Sequence, residues 1–170
     1  YIDSTKGWLF TNESNVGDLE AGSYIGATGG TVTTSGDFKI HTFTGDSNFV
    51  VSSVGNPSGG GAGVSYLVIA GGASGGTRTS GGNGGGGGAG GYRFNTSYPI
   101  VGATTYKVTI GAGGTAIGVS PLNAATNGAD SSFNTCGAGC ASAFDATGGG
   151  AGLGPSATGN SGGSGGGSGE

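Results

Sequence analysis

The stretch GGNGGGGGAGGYRF, residues 81–94, decides how the rest of the chain is read. Three physical states are open to it: a flexible spacer, a loop that cradles phosphate, or glycine packed into a fold. A dinucleotide loop needs an amphipathic helix after its glycines, so that the helix N-terminus can hold the pyrophosphate, and an acid about 20 residues further on. VSYLVIAGGASGG (64–76) supplies a strand and a glycine turn, but TRTSGGNGGGGGAGG follows, and no acidic residue stands between Asp46 and Asp130. Each glycine costs a helix about 1 kcal/mol relative to alanine, so no helix starts there. No glycine run leads into G-K-S or G-K-T either. A spacer separates cores, whereas this tract interrupts one: Tyr66, Leu67, Val68 and Ile69 are expected to enter it from a buried strand, and Tyr92 and Phe94 to leave it as aromatic anchors. The expectation is ordered glycine, in extended polyproline-II-like segments lying side by side with backbone N–H and C=O groups paired between neighbours.

Glycine fills 46 of the 170 positions, 8% of residues are charged, and methionine is absent. Ordering glycine costs more entropy than ordering any other residue, so many parallel contacts or several chains are needed. A homo-oligomer, a trimer or a helical polymer, is therefore expected. No window places apolar residues at i, i+3, i+4 and i+7 without glycine between them, which leaves essentially no helix. The runs SYIGA (23–27), FKIHTF (38–43), NFVVSSV (48–54) and TTYKVTI (104–110) are β-branched and aromatic, separated by turn residues, and predict antiparallel strands. Phe38, Ile40 and Thr42 would share one face, with His41 on the other. The fold class is all-β: a small antiparallel β-sandwich or jelly-roll-like domain with packed polyglycine-II-like segments. Composition divides the chain into an N-terminal arm (1–27) that reaches toward a neighbouring subunit, a glycine-rich β domain (28–147), and a Gly/Ser-rich C-terminal segment (148–170) that is partly flexible.

The cations Lys6, Lys39, Arg78, Arg93 and Lys107 are scattered in a chain of net charge -4, so no nucleic-acid footprint is present. No apolar run approaches the roughly 18–20 residues that span a bilayer. The sequence starts at Tyr1, as a piece of a longer or processed protein would. Cys136 and Cys140 stand as CGAGC, and the one other Cys or His is His41, too few ligands for zinc. A short-loop disulfide in an oxidising setting is expected, with two buried thiols as the alternative. The aspartates are isolated and lack calcium-loop spacing, so neither metal nor cofactor is expected. His41 lacks a nucleophile-elbow context elsewhere in the chain and reads as a surface or edge residue. NES (12–14) and NTS (95–97) match the N-glycosylation pattern, which reads as chance in a phage or bacterial protein and would matter in a glycosylated surface fibre, and Trp8 reads as an ordinary core residue ahead of an intersubunit anchor.

The runs KGWLFTNESNVGD (6–18), ATGGTVTTSGDFKIHTFTGDSNFVV (27–51), SYLVIAGGASGG (65–76), GGGGGAGGYRF (84–94) and YKVTIGAGG (106–114), in this order, carry a further signal. The ordered set resembles a glycine-rich domain found in tail-fibre-like and other virion proteins of tailed bacteriophages and in bacterial surface proteins. The resemblance implies a β-rich, glycine-packed virion or surface module with no known catalysis. In related phage adhesins, polyglycine segments form a rigid sandwich whose loops touch the host. The cysteine pair departs from the usual form.

The expected function is a non-enzymatic structural or receptor-binding module of a phage tail fibre or a similar virion fibre. A self-assembling extracellular filament subunit is the alternative, and a nucleotide-binding or hydrolytic enzyme stands third. Because glycine offers a ligand only backbone groups, side-chain recognition of a host-surface glycan or protein falls to Arg78, Asn83, Tyr92 and Arg93.

Overall fold

The computed structural model describes residues 2–3, 7–8, 21–77, 82–115, 125–134, 145–154 and 157–169. Arg78, the Cys136–Cys140 pair, the NES sequon and the Trp8 side chain lie outside the described residues.

Alternation of side chains builds the core. In β6 (Ser47–Ser53) it turns Phe49 and Val51 inward, and in β9 (Thr104–Thr109) Tyr106 and Val108. Phe49 stands directly opposite Tyr106 across the β6–β9 ladder. With β3 (Gly26–Thr28) and β10 (Ser132–Asn134) these strands make an antiparallel sheet of order β10-β9-β6-β3. The hairpin of β7 (Gly63–Ile69) and β8 (Tyr92–Pro99) covers its inner face, setting Val64, Tyr66, Val68 and Tyr98 against the core. Two layers packed in this way form a small β-sandwich-like unit. Phe133 is its hub, with ring centroids 5.2 Å from Tyr106, 6.0 Å from Phe49 and Tyr66, and 6.2 Å from Tyr98. Aromatic contacts of this kind add about 0.5–1.5 kcal/mol each beyond area burial.

The all-β expectation holds: every strand pair is antiparallel, and the helical element among the described residues is one 3-10 turn, Pro57–Gly59. No helix among them is long and apolar enough to cross a membrane. In the arm, β1 (Ile2–Asp3) pairs with β2 (Gly7–Trp8). The hairpin of β4 (Thr31–Ser35) and β5 (Phe38–Thr42) reverses the simplest reading of FKIHTF. Phe38, Ile40 and Thr42 do share a face, but Phe38 and Ile40 point to solvent, opposite Ser35 and Thr33. His41 takes the inner side, its ring 5.1 Å from that of Phe49 and its Nδ1 2.8 Å from the Gly29 carbonyl oxygen. Gly29 (φ 119°) and Gly30 (φ 62°) make the tight turn that folds the hairpin back, in a region of backbone space that glycine enters without strain.

β7 and β8 do not end in a turn. Both run on into glycine segments, 70–77 and 82–91, which join 111–115, 125–130, 147–154 and 157–169 in a bundle. Antiparallel bonds between the first two run from the N–H groups of Ala70, Ala73 and Gly76 to the carbonyls of Gly91, Gly88 and Gly85, at 2.8–2.9 Å. The next layer repeats the interval: Gly85, Gly88 and Gly91 donate to Leu153, Gly150 and Thr147, each at 2.8 Å. A β ladder would repeat every second residue. A repeat of three, with other residues serving other neighbours, identifies threefold polyglycine-II-like helices. Segment 147–154 lies at the centre. Gly149 and Gly152 donate to Gly71 and Ser74, Gly150 and Leu153 to Ser164 and Gly167, and Ala151 to the Asn127 Oδ1, while the Gly149 carbonyl accepts from Gly128. Residues 148–152 are all buried, so the outer segments enclose a backbone almost free of side chains.

Candidate functional site

Threefold geometry gives each glycine segment distinct rows of residues, and those of 82–91 differ sharply. A Cβ added at Gly84, Gly87 or Gly90 would overlap the backbone of 70–77, and one at Gly85 or Gly88 would overlap that of 163–167. The remaining row is Asn83, Gly86, Ala89 and, three residues on, Tyr92. At Gly86 an added Cβ meets nothing within 4 Å, and Asn83, Ala89 and Tyr92 are exposed. The non-glycine residues of NGGGGGAGGY therefore stand where the packing leaves room.

The site residues expected from sequence do not converge on one pocket. Asn83 and Tyr92 share the outward row but are nine residues apart, about 28 Å at 3.1 Å per residue. Arg93 alternates to the opposite face of β8, where its Nε donates to the Asp145 carbonyl oxygen at 3.2 Å. The N–H groups of Gly85, Gly88 and Gly91, which a phosphate loop would turn toward an anion, are donated to carbonyls inside the bundle. Asp130 likewise serves the backbone, its Oδ1 accepting the Gly148 N–H at 2.7 Å, and Asp46 accepts that of Ile110 at 2.8 Å. Among the described residues no group of three or more His, Cys, Asp or Glu is placed to hold a metal ion.

What sequence reasoning missed is an apolar block on the outer face of the β7–β8 hairpin. Leu67 is 59% exposed, Ile69 60%, Tyr92 73% and Phe94 61%. Ile69 pairs directly with Tyr92, and Leu67 with Phe94. The expectation of a buried strand at 66–69 thus fails for two of its four residues: Tyr66 and Val68 pack inward, while Leu67 and Ile69 face out. The strand carries apolar residues at both parities, a pattern that suits a strand covered on both sides. Among the described residues one layer covers one side. Tyr92 and Phe94 correspondingly crown the surface of the hairpin and do not anchor it from within.

On the inner face, Tyr98 lies against this same core, and burial, followed by the neighbouring Tyr106 and Tyr66 phenols, raises its pKa above the usual tyrosine value. The Tyr106 hydroxyl accepts the Val101 N–H at 3.0 Å and so ties the β8–β9 turn to the sheet.

A family model described as a glycine-rich domain matches residues 62–170, from the start of β7 through the last described glycine segment. Neither curated proteins nor solved structures gave a match.

Proposed function

The chain belongs to the glycine-rich domain family, and on that premise we propose that it is a non-enzymatic, self-associating structural or receptor-binding module of a phage tail fibre or similar virion fibre. The observation that carries this reading is the cross-bonded bundle, in which backbone bonds at every third residue join 70–77, 82–91, 147–154 and 163–167. A body braced in several directions by its own main chain resists bending, and it leaves side chains to the outer rows and the loops. Such a body suits display, because recognition residues are held by a scaffold that does not yield when they are engaged. Asn83 and Arg93 are exposed on different faces of that body, and either would be within reach of a host-surface glycan or protein. The ordered set of runs between residues 6 and 114, which resembles a glycine-rich domain of phage virion proteins and of bacterial surface proteins, supports the virion setting.

An extracellular filament subunit is the second reading, favoured by the outward apolar block on the hairpin, which suits repeated self-contact. Immunogold microscopy with an antibody against residues 62–170 separates the two. Label at the fibres of tailed particles is the expected result. Label along filaments on cells would replace the virion reading, and diffuse label on soluble material would remove both.

A further inference from the structure

We propose that the outer face of β7–β8 and the glycine surface continuous with it form one strip that pairs with the same strip of a second copy of this chain. The strip is a ladder of opposed residues: Leu67 with Phe94 and Ile69 with Tyr92 in the hairpin, then Gly72 beside Ala89 and Gly75 beside Gly86, following the register in which Ala70, Ala73 and Gly76 bond Gly91, Gly88 and Gly85. Ile69, Gly72 and Gly75 are spaced by three, as are Tyr92, Ala89 and Gly86, so the strip keeps one aspect for about 25 Å. One half is bulky and apolar. The other is a shelf whose residues are exposed and where a Cβ at Gly72 would come no nearer than 3.8 Å to any atom.

A block beside a shelf is complementary to itself. With a twofold axis between the halves, the four side chains of one copy lie on the glycine shelf of the other, and the reverse contact is made at once, as an isologous interface requires. At roughly 200 Å² for a fully exposed large side chain, the block presents about 500 Å² of apolar surface, near the upper end of what a monomer's largest patch usually exposes. Covering two blocks with two shelves removes more than about 1,000 Å² from water, which reaches the range of specific interfaces. The strip holds no ionisable side chain except the Tyr92 phenol, so the net charge of -4 does not set like charges against each other across the axis. Sugar recognition fits less well, because the block offers no carboxylate or amide beside its rings: Asn83 lies three turns away and Arg93 faces the other side.

The pairing rests on the reading of the chain as a self-associating module, and sedimentation equilibrium of the full chain at micromolar concentration tests the two separately. The unaltered chain is expected to sediment as a dimer or an even multiple of one. Phe94→Lys puts a charge into the block, and Gly86→Gln raises the shelf at a position where a side chain strains nothing in the fold. Each should halve the mass, or raise the dissociation constant at least about tenfold, with the far-UV circular-dichroism spectrum of the folded chain unchanged. Gly45→Gln, equally unobstructed but away from the strip, should leave the mass intact. A monomeric unaltered chain would overturn both the pairing and the self-association reading. An associated chain whose mass neither strip variant lowers, or whose mass falls as much with Gly45→Gln, would overturn the pairing alone.

Discussion

Around Phe133 the chain is ordered by side chains, and around Gly150 by their absence. Phe133 lies within 5.2–6.2 Å of four aromatic rings, and its strand is a three-residue edge whose value is the ring it delivers. Gly150 delivers nothing but a peptide group, whose N–H bonds Ser164 and whose carbonyl accepts from Gly88, both at 2.8 Å. A methyl group at Gly150 would overlap the Asn160 backbone. The first region gains by removing apolar surface from water. The second gains about 0.5–1.5 kcal/mol per backbone bond while ordering the residue that loses most entropy on folding. The difference implies a dependence: a bundle with so thin a margin is held in register by β7 and β8, which the aromatic core fixes.

Breaking the sandwich should therefore have the largest effect. Phe133→Ala is expected to cost about 3–5 kcal/mol in chemical denaturation. Amide exchange at Gly85, Gly88 and Gly150 should speed up together with that at Tyr106 and Val108. Bundle amides that stay protected while the sandwich amides exchange would show two independent units and break the comparison.

The bundle can be probed on its own with two neighbouring glycines. Gly88→Ala drives a methyl into the Ser164 backbone and should cost about 2–3 kcal/mol, since main chain cannot step aside as a rotamer does. Gly86→Ala, two residues away and unobstructed, should leave the melting temperature unchanged or raise it slightly, worth at most about 1 kcal/mol, because it restricts the unfolded chain alone. Similar effects at both positions would contradict the threefold packing.

Much of this contrast can be read in NGGGGGAGGY itself. Packed glycine follows from the missing helix signals and the aromatic flanks, and the interval from Asn83 to Ala89 to Tyr92, a multiple of three, marks the free row. Partners of the tract are another matter. Glycine segments carry no side-chain code that matches 82–91 to 147–154. The strand at 92–99 was hidden because YRFNTSYP alternates poorly and follows glycine, and Phe133 because SFN is too short to show a period. The apolar block was illegible for a different reason: Leu67 and Ile69 look like Tyr66 and Val68 until the number of covering layers is known. Of the residues expected from sequence to recognise a ligand, Asn83 and Tyr92 fall on the same outward row, while Arg93 turns away because β alternation reverses it.

Alkali acts on one region and hardly on the other, and supplies the smallest expected effect. Neither 82–91 nor 147–154 contains an ionisable side chain, whereas the sandwich holds the partly buried Tyr98 against its core, where its pKa is raised by burial and then by Tyr106 and Tyr66. A raised value means that the fold favours the neutral phenol. Its contribution to stability is complete below the unfolded-state pKa of about 10 and is lost as pH climbs through the higher folded-state value. The melting temperature should hold steady through neutral and mildly alkaline pH and decline above about pH 10. Tyr98→Phe removes the ionising group while keeping the ring against Phe133, so its decline should be shallower, and an equally steep one would place the alkaline loss elsewhere. If the sandwich holds the bundle in register, alkaline exchange should loosen Tyr106 and Val108 no later than Gly85 and Gly150. Glycine amides that open first would show that the bundle, and not the aromatic core, is the weaker partner.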